Sequence, residues 1–148
     1  MDLGCGFGYY GRDLKLLNDK IKLTGVEIFT PYLDSLESWT PHYKFIFNDD
    51  IRKRLYLAYT HDLTLMMDVI EHFDKPTATD ILDDESMTEN KLIISTPLFD
   101  YIQGVANSNI HEAHKCFFSE EELREMGFKL LVKIKFPSRN GYIGAFIR

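Results

Sequence analysis

Hydrophobic residues along this chain fall into short apolar runs, separated by stretches with helical spacing. Runs near 1–3, 22–27, 43–47, 62–67 and 90–96 have the length and the aliphatic or aromatic content of buried strands. Between them, Tyr10, Leu14 and Leu17 recur at helical spacing and predict a helix near 9–18. Further helices are predicted near 30–38, 76–85 and 119–126, with a weaker one near 50–56. Pro97 stops the fifth run because it cannot donate to a ladder. Ser119-Glu120-Glu121-Glu122 reads as a capping box that opens a helix ending before Gly127. The segments 129–136 and 142–147, around Ser138-Arg139-Asn140-Gly141, predict a β-hairpin with an Asn-Gly turn. Strand alternating with helix implies an α/β fold, a parallel sheet with helices on both faces.

One segment breaks the pattern. Residues 98–118 carry little periodicity but hold Gln103, Gly104, Asn107, Asn109, His111, Glu112 and His114. Irregular segments of that length in a compact domain are often functional.

Composition narrows the field. A chain of 148 residues, 45% hydrophobic, supports one core, so 1–148 is read as a single domain. Two cysteines, Cys5 and Cys116, make no disulfide framework and suggest a reducing, cytoplasmic setting. No apolar run is long enough to span a bilayer and no signal-peptide pattern opens the chain, so no membrane partner is expected. A net charge of −6 disfavours extended contact with a phosphate backbone, so no nucleic-acid partner is expected either. The short cluster Arg52-Lys53-Arg54 reads as a solvated helix face.

Chemistry enters with Asp2-Leu3-Gly4-Cys5-Gly6-Phe7-Gly8, where a strand end meets a helix N-terminus. Glycines at alternate positions let the backbone turn sharply and approach a ligand closely. In open parallel sheets that crevice collects nucleotide-like ligands. The third glycine of a dinucleotide fingerprint is replaced here by Tyr9, and no Walker lysine follows, so a P-loop is excluded. With no Lys or Arg before Arg12, the loop suits a ligand without a pyrophosphate. Glu27 ends the second run 23 residues after Gly4, where an acid can accept ribose hydroxyl protons. Its alternative role is to cap the helix that starts near Pro31. The third run ends in Asn48-Asp49-Asp50-Ile51, where either Asp could cap the next helix. The fourth leads into Asp68-Val69-Ile70-Glu71-His72.

In this order, the glycine loop, Glu27, Asp50-Ile51, the V-I-E-H run and the S-T-P strand end resemble the class I S-adenosylmethionine-dependent methyltransferases of small-molecule type. The similarity spans essentially the whole chain. It implies a Rossmann-like, doubly wound, mostly parallel seven-stranded sheet in the order 3-2-1-4-5-7-6, with the last strand antiparallel. It also implies S-adenosylmethionine as cofactor, held by Asp2, Gly4, Cys5, Gly6, Glu27, Ile28, Asp50, Ile51 and Asp68. Asp50 would take the adenine amino group and the Ile51 N–H a ring nitrogen, although Asp49 could substitute for Asp50. Asp68 would lie under the methionine moiety. The Asn/Asp-Pro-Pro-Tyr/Phe tetrad of base-directed amino methylation is absent, so a small-molecule acceptor is expected.

Candidate bases are His111 and His114, with His72 as a third. His111-x-x-His114 with Cys116 could be read as a metal site, but the second histidine of H-E-x-x-H is replaced by Lys115, so no metal is expected. Family members carry helices ahead of the first strand, whereas this sequence opens at the glycine loop. The expected consequence is an open pocket, covered by a partner or by a second copy in a homodimer. A catalytically silent cofactor-binding or regulatory module is the alternative function, and an NAD-dependent oxidoreductase is disfavoured by Tyr9.

Overall fold

The predicted apolar runs become seven strands, ordered β3-β2-β1-β4-β5-β7-β6 in one sheet. These are β1 (Asp2–Leu3), β2 (Thr24–Glu27), β3 (Phe45–Asn48), β4 (Leu63–Met67), β5 (Lys91–Pro97), β6 (Lys129–Lys135) and β7 (Tyr142–Ile147). The computed structural model describes residues 1–35, 42–53, 61–84, 91–136 and 141–148. Two compact units divide the chain, Met1–Leu65 and Met66–Arg148.

In the first unit, β1 pairs in parallel with β2, and β2 with β3. Helix α1 (Tyr9–Leu17) and helix α2 (Thr30–Ser35) follow β1 and β2. Leu3 and Val26 are buried, and Cys5, Leu23 and Tyr43 form a core cluster with Leu14, Ile21 and Ile46 against it. Burying such side chains stabilises the unit by about 1.5–3 kcal/mol each. The helix expected at 50–56 is corrected where it is described: Ile51–Lys53 is a single 3-10 turn. Residues 36–38 of the second predicted helix and 54–56 of this one lie outside the described residues.

The second unit holds helix α3 (Lys75–Leu82) and helix α4 (Glu120–Glu125). Helix α3 starts one residue earlier than its spacing predicts, because the Asp74 side chain caps it by accepting the Thr77 N–H at 3.0 Å. The capping box at Ser119 and Glu122 is present, with both reciprocal bonds made. Strand β7 runs antiparallel to both β5 and β6. The edge strand β6 exposes Leu131, Val132 and Ile134 between lysines. The Asn-Gly turn predicted between β6 and β7 falls largely outside the described residues. Among the described residues, no helix is long and apolar enough to cross a membrane.

Candidate functional site

The glycine loop is fastened to the end of β2. After β1, the Gly4 and Cys5 N–H groups both donate to the Val26 carbonyl, at 2.8 and 3.1 Å. Gly6 then donates to Glu27 Oε2 at 2.9 Å, and Phe29 donates to Glu27 Oε1 at 2.7 Å. Gly6 has φ 53°, and a Cβ there would meet nothing within 4 Å. Glycine is therefore demanded by conformation, and the space in front of it is open. The buried Glu27 carboxylate braces loop to strand while each oxygen keeps a second lone pair. Beside it, Phe7, Phe29 and Tyr32 form an aromatic group, with Phe7–Tyr32 centroids at 4.1 Å and Phe29–Tyr32 at 4.9 Å.

Asp2 does not face outward. It is buried, and the Tyr43 hydroxyl donates to its Oδ2 at 2.6 Å. Burial pushes its pKa up to about 6, opposed by the Tyr43 bond and the N-terminal ammonium and aided by Glu27. The Tyr43 ring lies against α1, where a Cβ on Gly11 would come within 2.3 Å of it. The same burial raises the Cys5 thiol far above the range of a thiolate. Cys5 is thus a core residue below the loop.

The remaining residues of this half take more local roles. Ile28 is half-buried, and its carbonyl accepts from Asn48 Nδ2 at 3.2 Å. Asp50 accepts the Arg52 N–H at 2.9 Å and pairs with the Arg52 guanidinium, and so caps the Ile51–Lys53 turn. Asp49 pairs with Lys53 at 2.7 Å. Ile51 is buried. Asp50 thus takes the capping role that the sequence offered beside adenine binding, and both aspartates add ion pairs that it did not record.

In the second unit, Asp68 follows β4 in the left-handed region, φ 56°, which Asp tolerates better than most residues. Its N–H donates to the Ser95 carbonyl and to Ser95 Oγ, both at 3.0 Å, while Ser95 Oγ donates to Asp68 Oδ1 at 2.9 Å. The chain then makes a 3-10 turn at Ile70–His72 that seats Glu71 inside. Glu71 is 2% exposed, and its Oε2 has no hydrogen-bond partner among the described residues. Burial, then the Asp68 charge, pushes its pKa up to about 8, against a smaller pull from its own backbone and the Thr96 hydroxyl.

The irregular segment is ordered by bonds of its own. Asn109 N donates to the Ala106 carbonyl at 2.7 Å, Gln103 Nε2 to the Glu112 carbonyl at 2.9 Å, and His114 N to the Gln103 carbonyl at 3.0 Å. Lys115 N and Cys116 N donate to the Glu71 carbonyl at 2.8 and 3.3 Å, so the segment is laced to the 3-10 turn. This lacing sets the His114 ring 5.0 Å from that of His72, edge to face. Glu71, His72 and His114 each offer one donor atom, all within 4.8 Å of one another. His114 Nδ1 lies 2.9 Å from the Tyr101 carbonyl, and burial, then His72, lowers its pKa.

His111 is not a member of this group. It sits in the turn Ile110–Glu112, its N–H donating to Asn109 Oδ1 at 2.9 Å. Nor is Cys116, whose thiol approaches the Ile70 carbonyl and is pushed up to about 11 by burial. His114 also lines a cavity of about 490 Å³ with Tyr101, Ile102, Cys116 and Phe117. Sequence reasoning named His72 and His114 separately but missed Glu71 as their companion. The signal was present in the consecutive pair Glu71-His72. It also missed Tyr43, for which an aromatic residue in a strand-like run gives no distinguishing mark.

No protein-family model matches the chain, and no curated protein matches it in sequence. Solved structures do match in fold. The methyltransferase domain of bacterial CtHen1 superposes with a TM-score of 0.64 at 20% identity, covering 98% of this chain and 87% of that one. Magnesium protoporphyrin IX methyltransferase (ChlM) from Synechocystis PCC 6803, with bound SAH, gives 0.64 at 16% identity, covering 99% and 71%. The mitomycin 7-O-methyltransferase MmcR gives 0.62 at 15% identity, covering 99% of this chain but 47% of its own length. The chain therefore has the Rossmann-like fold of the class I S-adenosylmethionine-dependent methyltransferases, with the strand order and antiparallel β7 that the sequence implied.

Proposed function

We propose that this protein binds S-adenosylmethionine and transfers its methyl group to a small-molecule acceptor. The observation that carries this reading is the Glu27 carboxylate, fixed at the end of β2 by the Gly6 and Phe29 N–H groups. An acid so placed beside a glycine loop suits the two hydroxyls of a ribose. Two proteins of similar fold hold SAM or SAH in their structures, namely ChlM and LepI. The net charge of −6 supports an acceptor other than a nucleic-acid backbone.

Gly4, Gly6, Glu27 and Ile28 would hold the nucleoside side of the cofactor, with Asp2 and Cys5 supporting the loop from below. Asp68 would face the amino-acid side. Asp50 would contribute to the adenine only by sharing its carboxylate with Arg52, so Ile51 is the better candidate there. In the reaction, a lone pair on the acceptor forms the new bond to the methyl carbon. The carbon–sulfur bond breaks, and its electron pair returns the sulfonium to a neutral thioether. The acceptor proton goes to a base, for which we favour His111, since His114 is engaged with His72 and Tyr101. Holding donor and acceptor in line supplies most of the rate.

Calorimetric titration with S-adenosylmethionine, its demethylated product and NAD tests the cofactor. The first two should bind, and Glu27→Ala should weaken them roughly 10- to 150-fold, the loss of about 1.5–3 kcal/mol for hydrogen bonds to a charged group. Binding of NAD alone, or an unchanged affinity in the variant, overturns the reading. A methyl-transfer assay across hydroxyl- and amine-bearing metabolites then separates an enzyme from a silent module.

A further inference from the structure

We propose that Glu71, His72 and His114 are the protein ligands of a divalent first-row transition-metal ion, bound next to the cavity that His114 lines. Two histidines and one carboxylate form a donor set suited to Mn²⁺, Fe²⁺ or Zn²⁺, with positions left open for a further ligand. The three donor atoms already lie within 4.8 Å of one another. Metal bonds of about 2.0–2.2 Å place neighbouring donors about 3–3.5 Å apart, so binding would draw the three donors together by about an ångström.

Two further observations point to a cation. Glu71 Oε2 is sealed from solvent and has no hydrogen-bond partner among the described residues. Buried polar atoms in that state are rare in native proteins, and a bound ion is one of the few groups that resolve them. The histidines are also held from behind. His114 Nδ1 meets the Tyr101 carbonyl at 2.9 Å, and His72 Nδ1 faces the Ala113 carbonyl at 3.4 Å. A carbonyl accepts only an N–H, so each contact puts the proton on Nδ1 and leaves the lone pair on Nε2. Metal-bound histidines are oriented in this way by their outer partners.

The ion also narrows the acceptor, and this part rests on the proposed function. A divalent ion binds a hydroxyl oxygen and lowers its pKa. A molecule entering the 490 Å³ cavity would present its hydroxyl beside His114. The structure thereby favours oxygen over carbon or nitrogen as the methylated atom.

The test uses the full chain after treatment with chelator, without cofactor or acceptor. Mn²⁺ titrated into it should lose its free-ion paramagnetic resonance signal at one ion per chain. Co²⁺ should give a visible absorption band. Glu71→Gln and His114→Gln should weaken Mn²⁺ by no less than the roughly 10- to 100-fold that loss of a ligand's outer partner costs. His61→Gln, whose ring bonds Thr64 and is not one of the three donors, should bind as the parent does. Circular dichroism confirms folding, and His72→Gln replaces any variant that fails it. No binding by the parent chain tighter than about 1 mM, or equal binding by the ligand variants, overturns the site. A chain that binds Mn²⁺ but not S-adenosylmethionine keeps this site and loses the functional reading. The reverse outcome loses this site alone.

Discussion

Two buried glutamates sit in comparable positions and in opposite conditions. Glu27, at the end of β2, has a backbone N–H on each carboxylate oxygen. Glu71, in the turn after β4, has an oxygen with no partner among the described residues. Burial is almost the same, 6% and 2% exposed. Accessibility therefore does not separate them, and hydrogen bonding does. A satisfied carboxylate builds a frame that a ligand joins later, whereas an unsatisfied one is completed by what binds. The first unit fixes its loop geometry with its own backbone bonds. The second holds a buried carboxylate oxygen without a hydrogen bond among the described residues.

The sharpest way to break this contrast is to exchange each glutamate for glutamine and compare urea melts in chelator. Glu27→Gln turns one oxygen into an N–H₂ facing a backbone N–H, so about 2–3 kcal/mol of stability should be lost. Glu71→Gln can place its N–H₂ at the oxygen that has no partner, leaving the other oxygen with its contacts, and should change stability by less than about 1 kcal/mol. Equal losses would end the distinction.

A somewhat smaller effect should come from making a second orphan. Tyr43→Phe removes the bond that favours the ionised form of Asp2. Asp2 has its folded pKa raised from 3.8 to about 6, so its protonated form contributes stability below about pH 3.8 that is lost as pH rises through 6. The variant pushes that pKa higher still. Its deficit should therefore be small near pH 4 and grow to about 1.5–2 kcal/mol above pH 7. Thermal melts across that range check it, and a deficit that shrinks with rising pH would contradict the assigned role. The smallest effect belongs to Ser95→Ala. The Asp68 side chain it leaves is solvent-exposed, so water replaces the lost bonds and about 0.5 kcal/mol is expected. A loss as large as that in Glu27→Gln would show that exposure does not protect this turn.

Much of the fold was legible because its strands are apolar runs set at regular intervals, and the family resemblance supplied their order. Glu27 was legible for the same reason, ending such a run at a fixed distance from the loop. Other parts depended on contacts that no local pattern records. The Asp49-Asp50 pair looks alike in sequence whether it caps a turn or meets a ligand, and its ion pairs with Arg52 and Lys53 appear only in space. The sequence paired His111 with His114 because they are neighbours. The structure joins His114 instead to Glu71 and His72, about 40 residues away, through the bonds from Lys115 and Cys116 to the Glu71 carbonyl. Long-range backbone pairing of that kind leaves no periodicity to read.

Strand β7 has a consequence for how the molecule is made. It lies between β5 and β6 and supplies the ladder to each. A ribosome delivers residues 91–97 well before residues 142–147, so during synthesis β5 waits with one edge unpaired. Open edges of this kind recruit other chains. The interval lasts some tens of residues, on the order of several seconds at ordinary elongation rates. A stop codon or protease cut ahead of Tyr142 would make it permanent and strip two ladders at once. Chaperone demand for this protein should thus concentrate between the synthesis of β5 and that of β7.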